Sequence, residues 1–236
     1  MKVQMDDSRG MDALVIIQAR MSSSRLPEKA LIDLAGKPVI DHVVGRLSES
    51  IGPDRLVLAT SDDKSDDILE RHVSRTHGIP VFRGDLENVA QRFQDCLCQF
   101  PCKWFVRISG DSPFIDPKLV SLMLGAATES DDLVSNVVER TFPKGQSVEV
   151  VRSEVFRSMS IESFDSYERE HVTAYFYRNR ERYRIRSVTA RGGPVRGRGL
   201  AIDTYEDLLD AELMIRESPD LLRGYAAQAI VASRTS

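Results

Sequence analysis

The chain has 236 residues, 42% of them hydrophobic and 29% charged, with a formal net charge of -4. That length can bury the core of one domain, and the mild acidity leaves no basic footprint for a nucleic-acid polymer. No apolar run approaches the length of a membrane span, and the polar start MKVQMDDSRGMD lacks the apolar segment of a signal peptide. A cytoplasmic protein is expected, with a disordered tail over 1–12 and a single domain over 13–236.

The apolar run from Ala13 to Ile17 reads as a buried strand bounded by polar residues. It opens into QARMSSSRLPEK at 18–29, where Arg20, Arg25 and Lys29 accompany Ser22, Ser23 and Ser24, and Glu28 is the one acid. A loop at a strand end that offers backbone N–H groups, hydroxyls and fixed cations can hold a polyphosphate. Arginine grips phosphate oxygens in pairs, and lysine supplies a mobile point charge. The loop is neither a Walker loop nor a dinucleotide fingerprint, since neither glycine pattern is present. The alternative is a solvated surface loop, which its place after a buried strand argues against.

Val39, Ile40, Val43, Val44 and Leu47 have the spacing of a one-faced helix over 37–50, with Pro38 in its first turn. Gly52 and Pro53 break the chain. A strand over 55–60 then runs into Ser61, Asp62 and Asp63, and a helix over 65–76 ends at Gly78. A strand at 79–82, a helix at 86–100, a strand at 104–108, a helix at 118–128 and a strand at 133–136 continue the alternation. Such a rhythm argues for a mainly parallel sheet covered on both faces, with ligands beyond the carboxyl ends of the strands. The 18–29 loop, the Ser61 turn and the turn at Gly110 and Asp111 all fall on that edge.

From Thr141 the rhythm changes. A turn at 141–145 precedes a strand over 147–152, helices over 153–158 and 166–178, and a strand over 183–189. A basic loop at 191–199, either a lid or a linker, leads to a short strand at 200–202, a helix at 205–217 and a final helix at 221–233. Cys96, Cys98 and Cys102 lack a nearby fourth ligand and read as reduced thiols in a helix and its exit. The acids at Asp62, Asp63, Asp66 and Asp67 read as solvated surface rather than metal ligands.

The loop and its continuation ALIDLAGKPVI at 30–40 resemble the signature of sugar nucleotidyltransferases. LATSDD at 58–63, VFRGDLENV at 81–89, RISGDSPFIDP at 107–117, EREHVT at 168–173 and AIDTYEDL at 201–208 follow in order. Together they are similar to the SpsF-type cytidylyltransferase family, related to the synthetases of CMP-Kdo and CMP-sialic acid. The family's loop reads RLPGK and its acidic motif DTPEDL; here Glu28 replaces the glycine and Tyr205 the proline.

The resemblance implies a three-layer, Rossmann-like α/β nucleotide-diphospho-sugar transferase fold with a mainly parallel mixed sheet. It also implies an acceptor or dimerisation subregion at about 141–199 and a homodimer. The implied reaction is Mg2+-dependent transfer of CMP from CTP to a sugar, acidic or amino-modified, with release of pyrophosphate and no role for nucleic acid or membrane. Asp111 and Asp203 would hold the metal, and Arg20 and Lys29 would join them in catalysis. Ala19, Ser22, Ser23, Ser24, Arg25, Ser61, Asp62, Arg92, Ser109 and Gly110 would complete the nucleotide site with Arg20 and Lys29. Asn136, Lys144, Glu149, Arg169 and His171 would meet the acceptor.

Blander readings stand beside these. Asp203 could cap the following helix with Thr204, and Asp111 could be a turn residue before Pro113. Arg92 could be an exposed helix residue, and His171 a helix residue bonded within the core or an interface. A glycosyltransferase using a nucleotide-sugar donor is the rival enzyme. An inactive nucleotide-binding partner protein is the rival outside enzymes, supported only by Glu28 and Tyr205.

Overall fold

In the computed structural model the chain is described over residues 12–191, 199–219 and 230–234. Strand β1 (Ala13–Gln18) carries Val15, Ile16 and Ile17, all buried, so both of its faces are covered. The 18–29 loop and a 3-10 turn at Lys29–Leu31 lead to a hairpin of β2 (Asp33–Leu34) and β3 (Lys37–Pro38). Ala35 and Gly36, at φ 53 and 87, supply the left-handed pair that a two-residue hairpin loop needs. Helix α1 (Val39–Ile51) follows, so the helix expected over 37–50 starts after Pro38, which the hairpin holds.

The alternation continues with β4 (Leu56–Ser61), α2 (Asp67–His77), β5 (Val81–Gly84), α3 (Val89–Gln99), β6 (Trp104–Ser109), α4 (Pro117–Ala126) and β7 (Leu133–Ser135). Then come β8 (Glu149–Arg152), α5 (Ser153–Arg157), α6 (Ser166–Glu170), α7 (Ala174–Arg178), β9 (Ile185–Ala190), α8 (Tyr205–Glu217) and β10 (Ile230–Arg234). The main sheet has 8 strands in the order β10-β9-β7-β8-β6-β1-β4-β5. Strands β8 and β10 run against the others, which makes the sheet mixed and mainly parallel, as expected.

Alternate residues of the central strands feed opposite layers. Val15, Ile17, Val106 and Ile108 pack with α1 and α4, while Ile16, Val57 and Phe105 pack with α3, α5 and α7. A third cluster seats Leu208, Ala211 and Ile215 of α8 on Leu26, Leu34, Phe114 and Ile202, which pins the 18–29 loop from outside. Fully burying a Val, Leu, Ile or Phe side chain, as at Ile16, Val57 and Phe105, contributes about 1.5–3 kcal/mol.

Several expectations are corrected. Helix α3 begins at Val89 because the Asn88 side chain caps it, accepting from the Gln91 amide at 3.1 Å. The helix expected over 166–178 is broken between α6 and α7, since His171 leaves the helical conformation at φ -105, ψ 78. The segment at 200–202 is not a sheet strand; its amides at Leu200 and Ile202 bond instead to the carbonyls of Lys144 and Asp111. Of the final helix expected over 221–233, residues 230–233 belong to strand β10, and 221–229 lie outside the described residues. The tail at 1–11 and the loop at 192–198 also lie outside them. Asp12 is described: its carbonyl accepts from the Lys103 and Trp104 amides. Cys96, Cys98 and Cys102 are free thiols, and burial pushes Cys96 up to about 12.

Candidate functional site

Strands β1 and β6 end level, with Gln18 opposite Ser109, while β4 pairs Ala59 with Gln18 and runs two residues further to Ser61. Asp66 anchors the loop that leaves β1. Its Oδ1 accepts from the Met21 amide at 2.6 Å. Its Oδ2 accepts from Thr60 Oγ1 at 2.8 Å, from the Ser61 amide at 2.9 Å and from the Ser61 hydroxyl. Asp66 is fully buried, which corrects its reading as solvated surface: the 3-10 turn Lys64–Asp66 folds it under the end of β4. On the other side Gly110 donates to the Gln18 carbonyl at 2.8 Å. A Cβ at Gly110 would come within 2.7 Å of the Ala19 Cβ, so only glycine lets the β6 turn lie this close.

Asp111 and Asp203 meet here. The Ile202 amide donates to the Asp111 carbonyl at 2.8 Å, tying the two segments at the backbone. Thr204, not Asp203, is the N-cap of α8, and its Oγ1 accepts from the Asp207 amide at 3.2 Å. The Asp207 carboxylate returns the bond, accepting from the Asp203 and Thr204 amides. The Asp203 carboxylate is therefore left for the site. It lies 2.9 Å from Lys29 Nζ, 3.2 Å from Arg25 Nη2 and 2.6 Å from Lys144 Nζ. Lys29 Nζ also reaches Asp111 Oδ2 at 2.8 Å. Lys144 arrives because Gly145, at φ 93, lets the chain cross Leu200, whose carbonyl carbon would lie 2.4 Å from any Cβ there.

These contacts set the charges. Burial alone would raise the Asp203 carboxyl, but Lys144 and Lys29 hold it down at about 2. Burial works against the Lys29 ammonium, yet Asp111 and Asp203 raise its pKa above the ordinary 10.5. The Lys29 ammonium thus lies between the Asp111 and Asp203 side chains, with Arg25 and Lys144 on the far side of Asp203.

A cleft of about 250 Å³ opens over this cluster. Of the anticipated residues, Ala19, Arg20, Ser22, Ser23, Ser24, Arg25, Lys29, Ser109, Gly110, Asp111, His171 and Asp203 line it. Gln18, Ala30, Arg107 and Glu170 line it as well and were not anticipated. Arg20 reaches Glu170 at 3.1 Å and the Leu86 carbonyl at 3.2 Å. Burial lowers the pKa of His171 and nearby Arg107 lowers it further, with Glu170 and Glu149 opposing.

The other anticipated residues sit elsewhere. Ser61 commits its hydroxyl to Asp66, and Asp62 is exposed, its amide bonded to the Gly84 carbonyl. Arg92 is fully buried, neither exposed nor in the cleft. It holds the Asp85 and Leu86 carbonyls from inside the fold, and burial draws its pKa down to about 10. Asn136 clamps Gln146 and Val148 through its amide group. Arg169 is exposed and donates to the Glu162 carbonyl at 3.0 Å. Glu149 is buried and holds Arg107 at 2.7 Å.

A larger hollow of about 730 Å³ is lined by Asp95, Lys103, Glu129, Arg152 and Arg157, among others, but contains none of the site residues. Its mixed charge favours no one ligand. Among the described residues no group of three or more His, Cys, Asp or Glu side chains is placed to hold a metal. Asp111 and Asp203, which already share one cation, are the two carboxylates that could hold a hydrated divalent ion here.

Residues 14–220 match the family model described as Cytidylyltransferase. The chain is 35% identical over 222 residues to the spore coat polysaccharide biosynthesis protein SpsF of Bacillus subtilis (strain 168), covering 89% of this chain and 90% of that one. It is 34% identical over 136 residues to a 3-deoxy-manno-octulosonate cytidylyltransferase of Anaeromyxobacter sp. (strain K), 54% of each chain. A solved cytidylyltransferase structure from Leptospira borgpetersenii serovar Hardjo-bovis (strain JB197) superposes with a TM-score of 0.79 at 25% identity, over 93% of this chain and 100% of that one. Among the described residues no helix is long and apolar enough to cross a membrane.

Proposed function

Because this chain belongs to the cytidylyltransferase family, we propose that it transfers CMP from CTP to a hydroxyl of a small sugar, acidic or amino-modified, in a Mg2+-dependent reaction. The observation that carries this reading is the pairing of Asp111 and Asp203 through Lys29, beside a loop bearing Arg20 and Arg25. A new bond forms between the acceptor oxygen and the α-phosphorus, and the bond from the α-phosphorus to the bridging oxygen breaks. Pyrophosphate leaves with that electron pair, and the hydroxyl proton passes to solvent. Such chemistry depends on positioning and charge neutralisation more than on covalent help. Magnesium held by Asp111 and Asp203 would neutralise α-phosphate charge and make the attacking hydroxyl more acidic. Arg20, Arg25 and Lys29 would grip the departing pyrophosphate, each charge-assisted hydrogen bond contributing about 1.5–3 kcal/mol.

Two departures from the family motifs stay clear of the chemistry. Glu28 is exposed and does not line the cleft. Tyr205 is 59% exposed, and the capping box at Thr204 and Asp207 supports the turn without proline. The only support for an inactive partner protein therefore weakens. The reading includes a homodimer, which rests on the family resemblance alone, and a cytoplasmic location, which is expected because no apolar run approaches the length of a membrane span.

The test is pyrophosphate release from CTP and Mg2+ with 3-deoxy-manno-octulosonate, sialic-type acids and amino sugars as acceptors. Release with at least one sugar is expected. Consumption of uridine-diphosphate sugars without pyrophosphate would favour a glycosyltransferase, and CTP binding without product would favour a binding protein.

A further inference from the structure

Arg107 lies within the sheet, on β6, in register with Ile16 of β1 and Glu149 of β8. Phe105, two residues earlier on the same face, belongs to the apolar core. At Arg107 that face turns polar. The guanidinium donates through Nε to Gln18 Oε1 at 3.1 Å and through Nη1 to Glu149 Oε2 at 2.7 Å. Glu149 is 3% exposed, and its other oxygen accepts from Thr173 Oγ1 at 2.7 Å and from the Tyr177 hydroxyl. Tyr177 in turn shares a hydrogen bond of 2.6 Å with Ser135, the register neighbour of Glu149 on β7.

A buried ion pair is often no more stabilising than apolar residues of the same volume, so stability does not account for this network. What it does is fix one guanidinium in one orientation on the wall of the cleft. Nε and Nη1 are committed to the protein, and among the described residues no hydrogen bond is made by Nη2. The triphosphate has its own cations in Arg20, Arg25 and Lys29, so Arg107 is not needed there.

We infer that Arg107 binds a carboxylate on the sugar acceptor and that Glu149 is its positioning residue. This rests on the CMP-transfer reading above and names the acceptor's chemical class. A singly charged, planar group suits one guanidinium with a remaining Nη2 donor. A phosphate dianion suits it less, because Glu149 already offsets Arg107 and Glu170 lines the same cleft.

The experiment measures KM for CTP and for acceptor separately, by pyrophosphate release. The acceptors are 3-deoxy-manno-octulosonate, N-acetylneuraminic acid, the C1 carboxamide of each, and neutral N-acetylglucosamine. Wild type is expected to favour the acids over the carboxamides. Arg107→Met and Arg107→Lys should raise KM for the acid by about ten- to hundredfold, the scale of one lost charge-assisted hydrogen bond. KM for CTP should stay within about twofold, a split that a purely structural role would not produce. Glu149→Gln should move the same parameter in the same direction by less. Arg107→Lys keeps a cation beside Glu149 and so serves if the Met variant does not fold. A rise in KM for CTP instead, or turnover of carboxamides and neutral sugar as good as that of the acids, would overturn the inference while leaving CMP transfer intact. No pyrophosphate from CTP with any acceptor would refute the CMP-transfer reading on which it rests.

Discussion

Asp111 and Asp203 share a single ammonium: Lys29 Nζ lies 2.8 Å from a carboxylate oxygen of the one and 2.9 Å from that of the other. An ammonium in that position screens two acids that would otherwise repel. Lys29→Met should therefore lower stability without metal or nucleotide by about 1–3 kcal/mol, nearer the lower figure because Arg25 and Lys144 still face Asp203. Mg2+ alone should raise the variant's melting temperature more than that of wild type, because the ion no longer competes with Lys29. Thermal melts in EDTA and in Mg2+ give the comparison, and equal metal responses would contradict it.

The same cluster makes a prediction about acid. Asp203 is held down at about 2, so its folded pKa lies below the unfolded value of about 3.9. Its contribution to stability is complete above the unfolded pKa and is lost as the pH falls through about 2. The stability gap between wild type and Asp203→Asn should shrink on acidification from pH 5 toward pH 2. Lys29 has the opposite sign: its contribution is complete below 10.5 and is lost as the pH rises through its higher folded pKa. Denaturant midpoints of wild type and each variant across pH would show a flat gap if the pairs were absent in solution.

Much of this site was legible because each loop leaves a parallel strand at the same edge. The serine and cation run after β1, and the Gly110 and Asp111 turn after β6, could both be placed from the apolar runs before them. Lys144 was not placeable in the same way, since its approach depends on Gly145 crossing Leu200, a tertiary event. Arg107 was missed because one polar residue in an apolar strand carries no signal of Glu149 beside it on β8. Asp66 was missed because its acidic neighbours suggested solvent, whereas the turn at Lys64–Asp66 buries it. At 230–234 the β-branched Ile230 and Val231 were a strand signal that small neighbouring residues obscured.

Glu28 adopts the left-handed conformation, φ 59 and ψ 14, just where the resembling family carries glycine. A non-glycine residue there costs about 1–2 kcal/mol, partly offset in comparison with glycine by the latter's looser unfolded chain. Glu28→Gly should raise stability by about 0.5–1 kcal/mol in urea unfolding, with KM for CTP no worse. Destabilisation would show that the carboxylate has a role the exposed position does not reveal.

Asp66 should matter without touching substrate. Its carboxylate takes the Met21 amide and three donors from Thr60 and Ser61. Asp66→Ala strands buried donors and should cost about 2–4 kcal/mol. The milder Asp66→Asn, which keeps one acceptor oxygen, should raise KM for CTP more than it lowers kcat by loosening the loop. Unchanged CTP binding in both variants would remove Asp66 from the positioning of the loop.

The most direct measurement is a Mg2+ titration of pyrophosphate release from CTP, with acceptor present, in wild type, Asp111→Asn and Asp203→Asn. Wild type should show saturable dependence on the ion and silence in EDTA. Each folded Asn variant should lose about a thousandfold or more in rate, the scale expected when a group central to transition-state charge is removed. Release that persists in EDTA, or at wild-type rate in either variant, would contradict the account.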